Sequence, residues 1–149
     1  MECGALMKGL DKELLAAARG AMKHAYAPYS RFAVGAALRL SDGQVITGSN
    51  FENASYGLSL CAEAVALATA NAQGRLADVE AIAVAGPEMA IPCGRCRQIL
   101  SEAEQVAGRA ISIYCTSADG ERVQQYSLAK LLPHAFTLDN VERNDAKDA

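Results

Sequence analysis

The sequence predicts an α/β fold, a three-layer α/β/α sandwich around a five-stranded mixed sheet, and three observations predict it. Some segments repeat their apolar residues at helical spacing, while others are short apolar runs of strand length. The two kinds alternate in the order α-β-β-α-β-α-β-β-α, which puts helices on both faces of a sheet. Glycine, proline and polar clusters punctuate the segments at lengths suited to short connections.

Taken in order, Leu14, Leu15, Ala18 and Met22 mark an amphipathic helix over Leu10 to Ala25. Pro28 opposes helix at the residue before it, so Tyr26-Ala27-Pro28-Tyr29 ends the segment. Phe32 to Leu40 reads as a strand, Ser41-Asp42-Gly43 as a hairpin turn and Gln44 to Ser49 as the return strand. A polar loop runs from Asn50 to Ser59. Leu60 to Gln73, rich in Ala and Leu, reads as a helix closed by Gly74. Val79 to Ala85 is a buried strand and Gly86 to Pro92 a loop. Cys93 to Val106 is a helix, with Pro92 where a helix can start. Ile111 to Thr116 and Arg122 to Tyr126 are strands about the Asp119-Gly120 turn. Leu128 to Leu132 is a short helix stopped by Pro133. No repeat or linker-like stretch interrupts the chain, so residues 1–149 read as one domain, with a charged, frayed tail over about 141–149.

Composition narrows the function. At 149 residues and 51% hydrophobic, the chain can bury a sizeable core. Its net charge of −3 opposes a protein that tracks a nucleic-acid backbone, which needs a basic stripe. No apolar run reaches the roughly 20 residues of a membrane span, and Met1 to Lys12 lacks the pattern of a secretory signal. A cytoplasmic protein acting on a small molecule is the expectation. The five cysteines, Cys3, Cys61, Cys93, Cys96 and Cys115, are odd in number, which argues against a disulfide framework.

Two segments carry the chemistry: Cys61-Ala62-Glu63 and Pro92-Cys93-Gly94-Arg95-Cys96, each at the start of an expected helix. Cys93 and Cys96 have the common spacing of two thiolates on one zinc, and three residues on a helix turn both sulfurs the same way. Cys61 lies one helix and one strand upstream, a crossover able to set two helix N-termini side by side. Helix N-termini favour the thiolate. Three protein ligands leave a fourth position for water, the plan of a catalytic zinc. Glu63, two residues past Cys61, is placed to shuttle protons. Taken alone, the Cys-x-x-Cys pair also fits a redox pair or two core cysteines. Cys115 reads as a buried strand residue, Cys3 as an incidental terminal one, and His24 and His134 as helix-end or surface residues.

With these residues in view, the chain resembles the small, homotetrameric, zinc-dependent cytidine deaminases. The resemblance covers about Ala25 to Phe136. It rests on Ala25-Tyr26-Ala27-Pro28-Tyr29-Ser30-Arg31-Phe32, Val34-Gly35-Ala36-Ala37 and Gly48, then on Asn50-Phe51-Glu52-Asn53-Ala54-Ser55-Tyr56-Gly57 and Cys61-Ala62-Glu63. Pro92-Cys93-Gly94-Arg95-Cys96-Arg97-Gln98 and Leu131-Leu132-Pro133-His134-Ala135-Phe136 complete it. It implies a cytidine deaminase-like fold and conversion of cytidine and deoxycytidine to uridine and deoxyuridine with release of ammonia, in pyrimidine salvage. One Zn2+ per chain would be held by Cys61, Cys93 and Cys96, and zinc-activated hydroxide would attack C4. Glu63 would pass protons from that water to ring N3 and to the leaving ammonia. Asn50 and Glu52 would hold the ribose 3′-hydroxyl, Phe32 would pack on the pyrimidine, and the backbone around Ala62 would read the base edge. Tyr56 and Phe136 would complete pockets, often those of a neighbouring subunit. Arg95, Arg97 and Gln98 would stand behind the metal ligands.

By residue type alone, Phe32 also suits core packing, Asn50 and Glu52 suit solvated turns, Tyr56 suits the surface, and Phe136 suits an anchor for the C-terminal segment. The chain departs from the family at Ala64, where many members carry Arg, and at Arg95, where many carry a small residue. A subgroup, together with blasticidin S deaminases, shares Arg95. The expectation is that Arg95 supplies the positive charge absent at position 64. Rival readings are a blasticidin S or other cytosine-analogue deaminase, a polynucleotide cytosine deaminase, and a structural zinc module. Asn50 and Glu52 oppose the first, and the acidic charge opposes the second. The third requires a fourth protein ligand, and neither Cys115, on an expected strand, nor the terminal Cys3 is a good candidate.

Overall fold

The computed structural model describes residues 9–138; Cys3 and the tail expected over 141–149 lie outside them. In chain order the elements are α1 (Lys12–Ala21), β1 (Gly35–Leu40), β2 (Val45–Ser49), α2 (Ala62–Ala72) and β3 (Val79–Gly86). They continue with α3 (Gly94–Ala107), β4 (Ser112–Ser117), β5 (Val123–Tyr126) and α4 (Leu128–Leu131). The strands form one sheet in the order β2-β1-β3-β4-β5. β3 and β4 run parallel and the other neighbours antiparallel, so the sheet is mixed. Among the described residues no helix is long and apolar enough to cross a membrane.

Alternation along the strands decides the layers. Leu38 and Leu40 of β1, Ile82 and Val84 of β3, and Ile113 of β4 pack with Ala66, Leu67 and Ala70 of α2 and Leu100 of α3. The opposite face is shallow. There Ala37, Ala81, Ala83 and Ala85 receive Leu14, Leu15 and Ala18 of α1. Each fully buried Leu or Ile contributes about 1.5–3 kcal/mol through the apolar surface it removes from water. Asp11 fixes α1 twice. Its Oδ1 accepts the N–H of Leu14 at 2.9 Å as an N-cap, and its carboxylate takes a two-point contact from Arg39 of β1 at 2.7 and 2.8 Å.

The elements fall where the sequence puts them, with three shifts. The first helix is shorter than Leu10 to Ala25: it starts after the Asp11 cap and tightens to a 3-10 turn over Met22–His24. The helix expected from Leu60 starts at Ala62, because Leu60 pairs with Phe51 in a β-bridge. The strand expected from Phe32 begins three residues later, at Gly35. A side chain takes the place of a ladder partner there. Asn50 Oδ1 accepts the N–H of Val34 at 2.9 Å and its Nδ2 donates to the carbonyl of Phe32 at 2.9 Å. Phe32 is therefore released from the sheet.

Register places the functional segments. Gly35 stands opposite both Ser49 and Ala85, so the start of β1, the end of β2 and the end of β3 share one edge of the sheet. Phe32 and Val34 precede that edge, Asn50 and Glu52 leave it, and residues 87–92 leave it toward α3.

Candidate active site

Cys61 is the N-cap of α2, Cys93 is the N-cap of α3, and Cys96 lies in the first turn of α3. Neither N-cap cysteine makes a side-chain capping hydrogen bond. An oxygen side chain at such a position is worth about 1 kcal/mol, so both helices forgo that contribution where they meet. The three Sγ atoms lie within 4.8 Å of one another, and Cys61 Sγ stands 3.8 Å from Cys93 Sγ. Zinc–thiolate bonds of about 2.3 Å in a tetrahedron set sulfurs about 3.8 Å apart. The donor set thus fits zinc in number, chemistry and spacing. Among the described residues the cluster has three members. Cys115 is buried in β4 and lies outside it.

Glu63, in the first turn of α2, is 4% exposed and lines the same cavity as Cys61 and Cys93. Burial pushes its carboxyl above the usual carboxylate range, and the neighbouring Cys61 thiolate adds to the shift. Cys61 is held below the ordinary thiol range, first by its hydrogen bond with Cys96, then by Cys93 and by the charge of Arg95.

The helix that carries Cys61 and Glu63 is seated by Gly48 of β2. A Cβ on Gly48 would lie 2.5 Å from the carbonyl oxygen of Ala62 and 2.5 Å from the N–H nitrogen of Ala66. Only a residue without a side chain lets the first turn of α2 rest directly on the strand.

The cavity holds about 460 Å³, within the range of small-molecule sites. Phe32, Asn50, Glu52, Ala62, Glu63, Cys61 and Cys93 line it. Glu52 Oε1 accepts the N–H groups of Tyr29 and Ser30 at 3.0 and 3.1 Å. Tyr56 does not reach this cavity. It is 75% exposed, packs edge-on against Tyr29 at 5.8 Å, and lines an adjoining hollow that shares Ser30, Glu52 and Ser59. Phe136, 61% exposed, lines neither hollow. Arg95 donates from Nη1 to the carbonyl of Ser59, outside the cavity. Arg97 donates to the carbonyls of Pro92 at 2.7 Å and Leu131 at 2.8 Å, and Gln98 Nε2 donates to the carbonyl of Phe136 at 3.0 Å. These two side chains fasten the C-terminal segment to the start of α3.

Sequence reasoning missed the apolar wall formed by Val34, Leu60, Met89, Ala90 and Ile91, and also Ser30 and Ser59. A signal existed for the wall. Residues 87–92 follow the carboxyl end of a strand that has a parallel neighbour, the edge where open α/β sheets place ligands.

A buried carboxyl beside three thiols, with no fourth side-chain ligand among the described residues, is the plan of a catalytic zinc centre; on this mixed sheet it defines a zinc-dependent deaminase. The chain belongs to the family described as the cytidine and deoxycytidylate deaminase zinc-binding region, whose model matches residues 8–111. It is 45% identical over 134 residues to a cytidine deaminase of Halalkalibacterium halodurans, covering 89% of this chain and 95% of that one. It is 44% identical over 121 residues to a cytidine deaminase of Mycobacterium tuberculosis, covering 80% and 84%. The crystal structure of cytidine deaminase from Burkholderia pseudomallei superposes with a TM-score of 0.76 at 45% identity, over 83% of this chain and 97% of that one.

Proposed function

We propose that this chain hydrolyses the exocyclic amine of cytidine and deoxycytidine, giving uridine or deoxyuridine and ammonia, as one deaminase domain working in pyrimidine salvage in the cytoplasm. The observation that carries the reading is the buried Glu63 carboxyl sharing one nucleoside-sized cavity with the thiols of Cys61 and Cys93. Cys61, Cys93 and Cys96 would hold zinc, which would lower the pKa of a bound water and so supply hydroxide near neutral pH. Glu63 would accept one proton from the attacking water and deliver it to ring N3, then take the second proton from the hydroxyl added at C4 and pass it to the amine, which leaves as ammonia as the C4 carbonyl forms. Its burial excludes bulk water and keeps the proton within reach of the ring.

Phe32, freed from the sheet, offers its ring to the pyrimidine, and the backbone at Ala62 faces the base edge. Asn50 and Glu52 hold the sugar 3′-hydroxyl. The cavity lining includes carboxylates and no Lys or Arg, which favours a nucleoside over its phosphorylated form. Tyr56 and Phe136, exposed and outside the cavity, serve sites completed by neighbouring subunits of a homotetramer. Exposed Phe51 and Leu58 support the same assembly.

The test is an ultraviolet assay of purified, metal-quantified protein on cytidine, deoxycytidine, deoxycytidine monophosphate, cytosine and blasticidin S. Turnover of the two nucleosides, loss of activity on chelation and return with zinc are expected. Turnover of blasticidin S alone would move the substrate assignment to that analogue. Light scattering tests the tetramer.

A further inference from the structure

Gly86 ends β3, and nothing in its own chemistry suggests a role in the reaction. Its surroundings do. A Cβ built there would lie 2.9 Å from Ala90 Cβ, 2.9 Å from the carbonyl oxygen of Glu88 and 3.3 Å from Phe32 Cε1. Contacts below about 3 Å require something to move. Two of the three neighbours, Phe32 and Ala90, line the cavity.

The loop over Gly86 has little freedom. At one end Gly86 is registered against Ser117 in the parallel β3–β4 pair. At the other, the carbonyl of buried Pro92 is gripped by Arg97. Pro87 and Pro92 stiffen both ends. Between these anchors the chain folds back over Gly86, and Met89, Ala90 and Ile91 form the apolar wall beside Phe32.

We propose that Gly86 is a positioning residue that sets the width of the ring pocket, because its missing side chain lets Phe32 and Ala90 lie back against the end of β3, clear of the cavity they line. The proposal rests on the deaminase reading above. A methyl at position 86 meets the Glu88 backbone on one side and the anchored strand on the other. The Phe32 ring can turn, whereas Ala90 and the Glu88 carbonyl yield only as the loop backbone shifts; the open space before Phe32 and Ala90 is the cavity. Gly86→Ala therefore narrows the pocket and leaves the Cys61–Glu63 wall, seated by Gly48 on a different strand, in place.

The experiment measures kcat, KM and zinc content of the wild type, Gly86→Ala and Gly86→Ala/Ala90→Gly on cytidine and 5-methylcytidine. Gly86→Ala is expected to raise KM for cytidine at least fivefold, leave kcat within twofold and zinc unchanged, and to lose more with 5-methylcytidine. Removing the opposing methyl with Ala90→Gly should recover part of the KM. Should Gly86→Ala fail to fold, Ala90→Gly alone reads the same wall: it is expected to improve 5-methylcytidine relative to cytidine. Unchanged KM, a fall in kcat with zinc loss, or an unmoved substrate ratio in Ala90→Gly overturns the proposal while leaving the deaminase reading intact. A zinc-loaded wild type inactive on cytidine overturns both.

Discussion

Arg95 donates from Nη1 to the carbonyl of Ser59 at 3.2 Å, so the residue between two cysteines of α3 is tied to the segment two residues ahead of the third. The tie brings a guanidinium to the meeting point of two helix N-termini. Ala64, on α2, and Arg95 line the same groove, so the small residue leaves room for the large one. Three thiolates on one divalent cation leave excess negative charge, which opposes acidification of water. A cation held beside Cys61 would offset it.

Arg95→Ala is accordingly expected to lower kcat about 10- to 100-fold, to weaken zinc retention against a chelator, or both, as loss of a group behind the metal ligands does. Arg95→Lys should recover part of the loss. Parallel zinc titration and steady-state assays decide it; unchanged rate and metal affinity would sink the role.

For Glu63 the expectation is a variant that folds and binds zinc yet turns over slowly. Glu63→Gln keeps the volume of the buried group and removes its proton affinity, and should cost at least about 10²- to 10⁴-fold in kcat. Metal analysis and thermal melting on the same samples separate this from loss of the centre.

Gly48→Ala pushes a methyl into the Ala62 carbonyl and the Ala66 nitrogen, both backbone atoms that cannot rotate away. About 1–3 kcal/mol of stability should be lost to overpacking. Because the displaced turn carries Cys61 and Glu63, kcat should also fall more steeply than in an equally destabilised core variant such as Ile82→Val. Equal losses in the two would reduce Gly48 to a packing residue.

The Asp11–Arg39 pair makes a prediction in pH. The hydrogen bond from Arg39 holds the Asp11 carboxyl below its usual range. A lowered folded pKa means that the stabilisation is present above the unfolded value, near pH 4, and is lost as pH falls through the folded value. Asp11→Asn keeps an N-capping oxygen and removes the charge. It should cost roughly 1–2 kcal/mol at neutral pH, with the difference from wild type closing as pH falls through the lowered folded pKa. Denaturant unfolding at pH 7 and pH 3 measures both.

Much of this was legible in the residues themselves. The spacing of Cys93 and Cys96 fits a metal pair but also a redox or core pair, and Cys61-Ala62-Glu63 tips the balance by adding a third thiol and a carboxyl on one helix turn. The helices and strands follow from apolar periods. What periodicity does not carry is a side chain doing the work of backbone. Phe32 to Val34 has the residues of a strand, yet the amide of Asn50, distant in sequence, replaces its ladder partner. The apolar wall was hidden for a related reason: Met89, Ala90 and Ile91 have no polar chemistry to flag them, and their placement depends on what Gly86 lacks. Tyr56 and Phe136 carry a signal only through resemblance, since within one chain neither touches the main cavity.

The amide of Asn50 has a mechanical consequence. One planar group grips the backbone on both sides of Ala33 while standing on the wall assigned to the sugar. If Phe32 stacks on the base and Asn50 holds the sugar as proposed, the two functions would be hinged on the same small lever. A ligand that tugged on one would then shift the other, and a nucleoside stripped of its ribose would forfeit part of its grip on the ring as well.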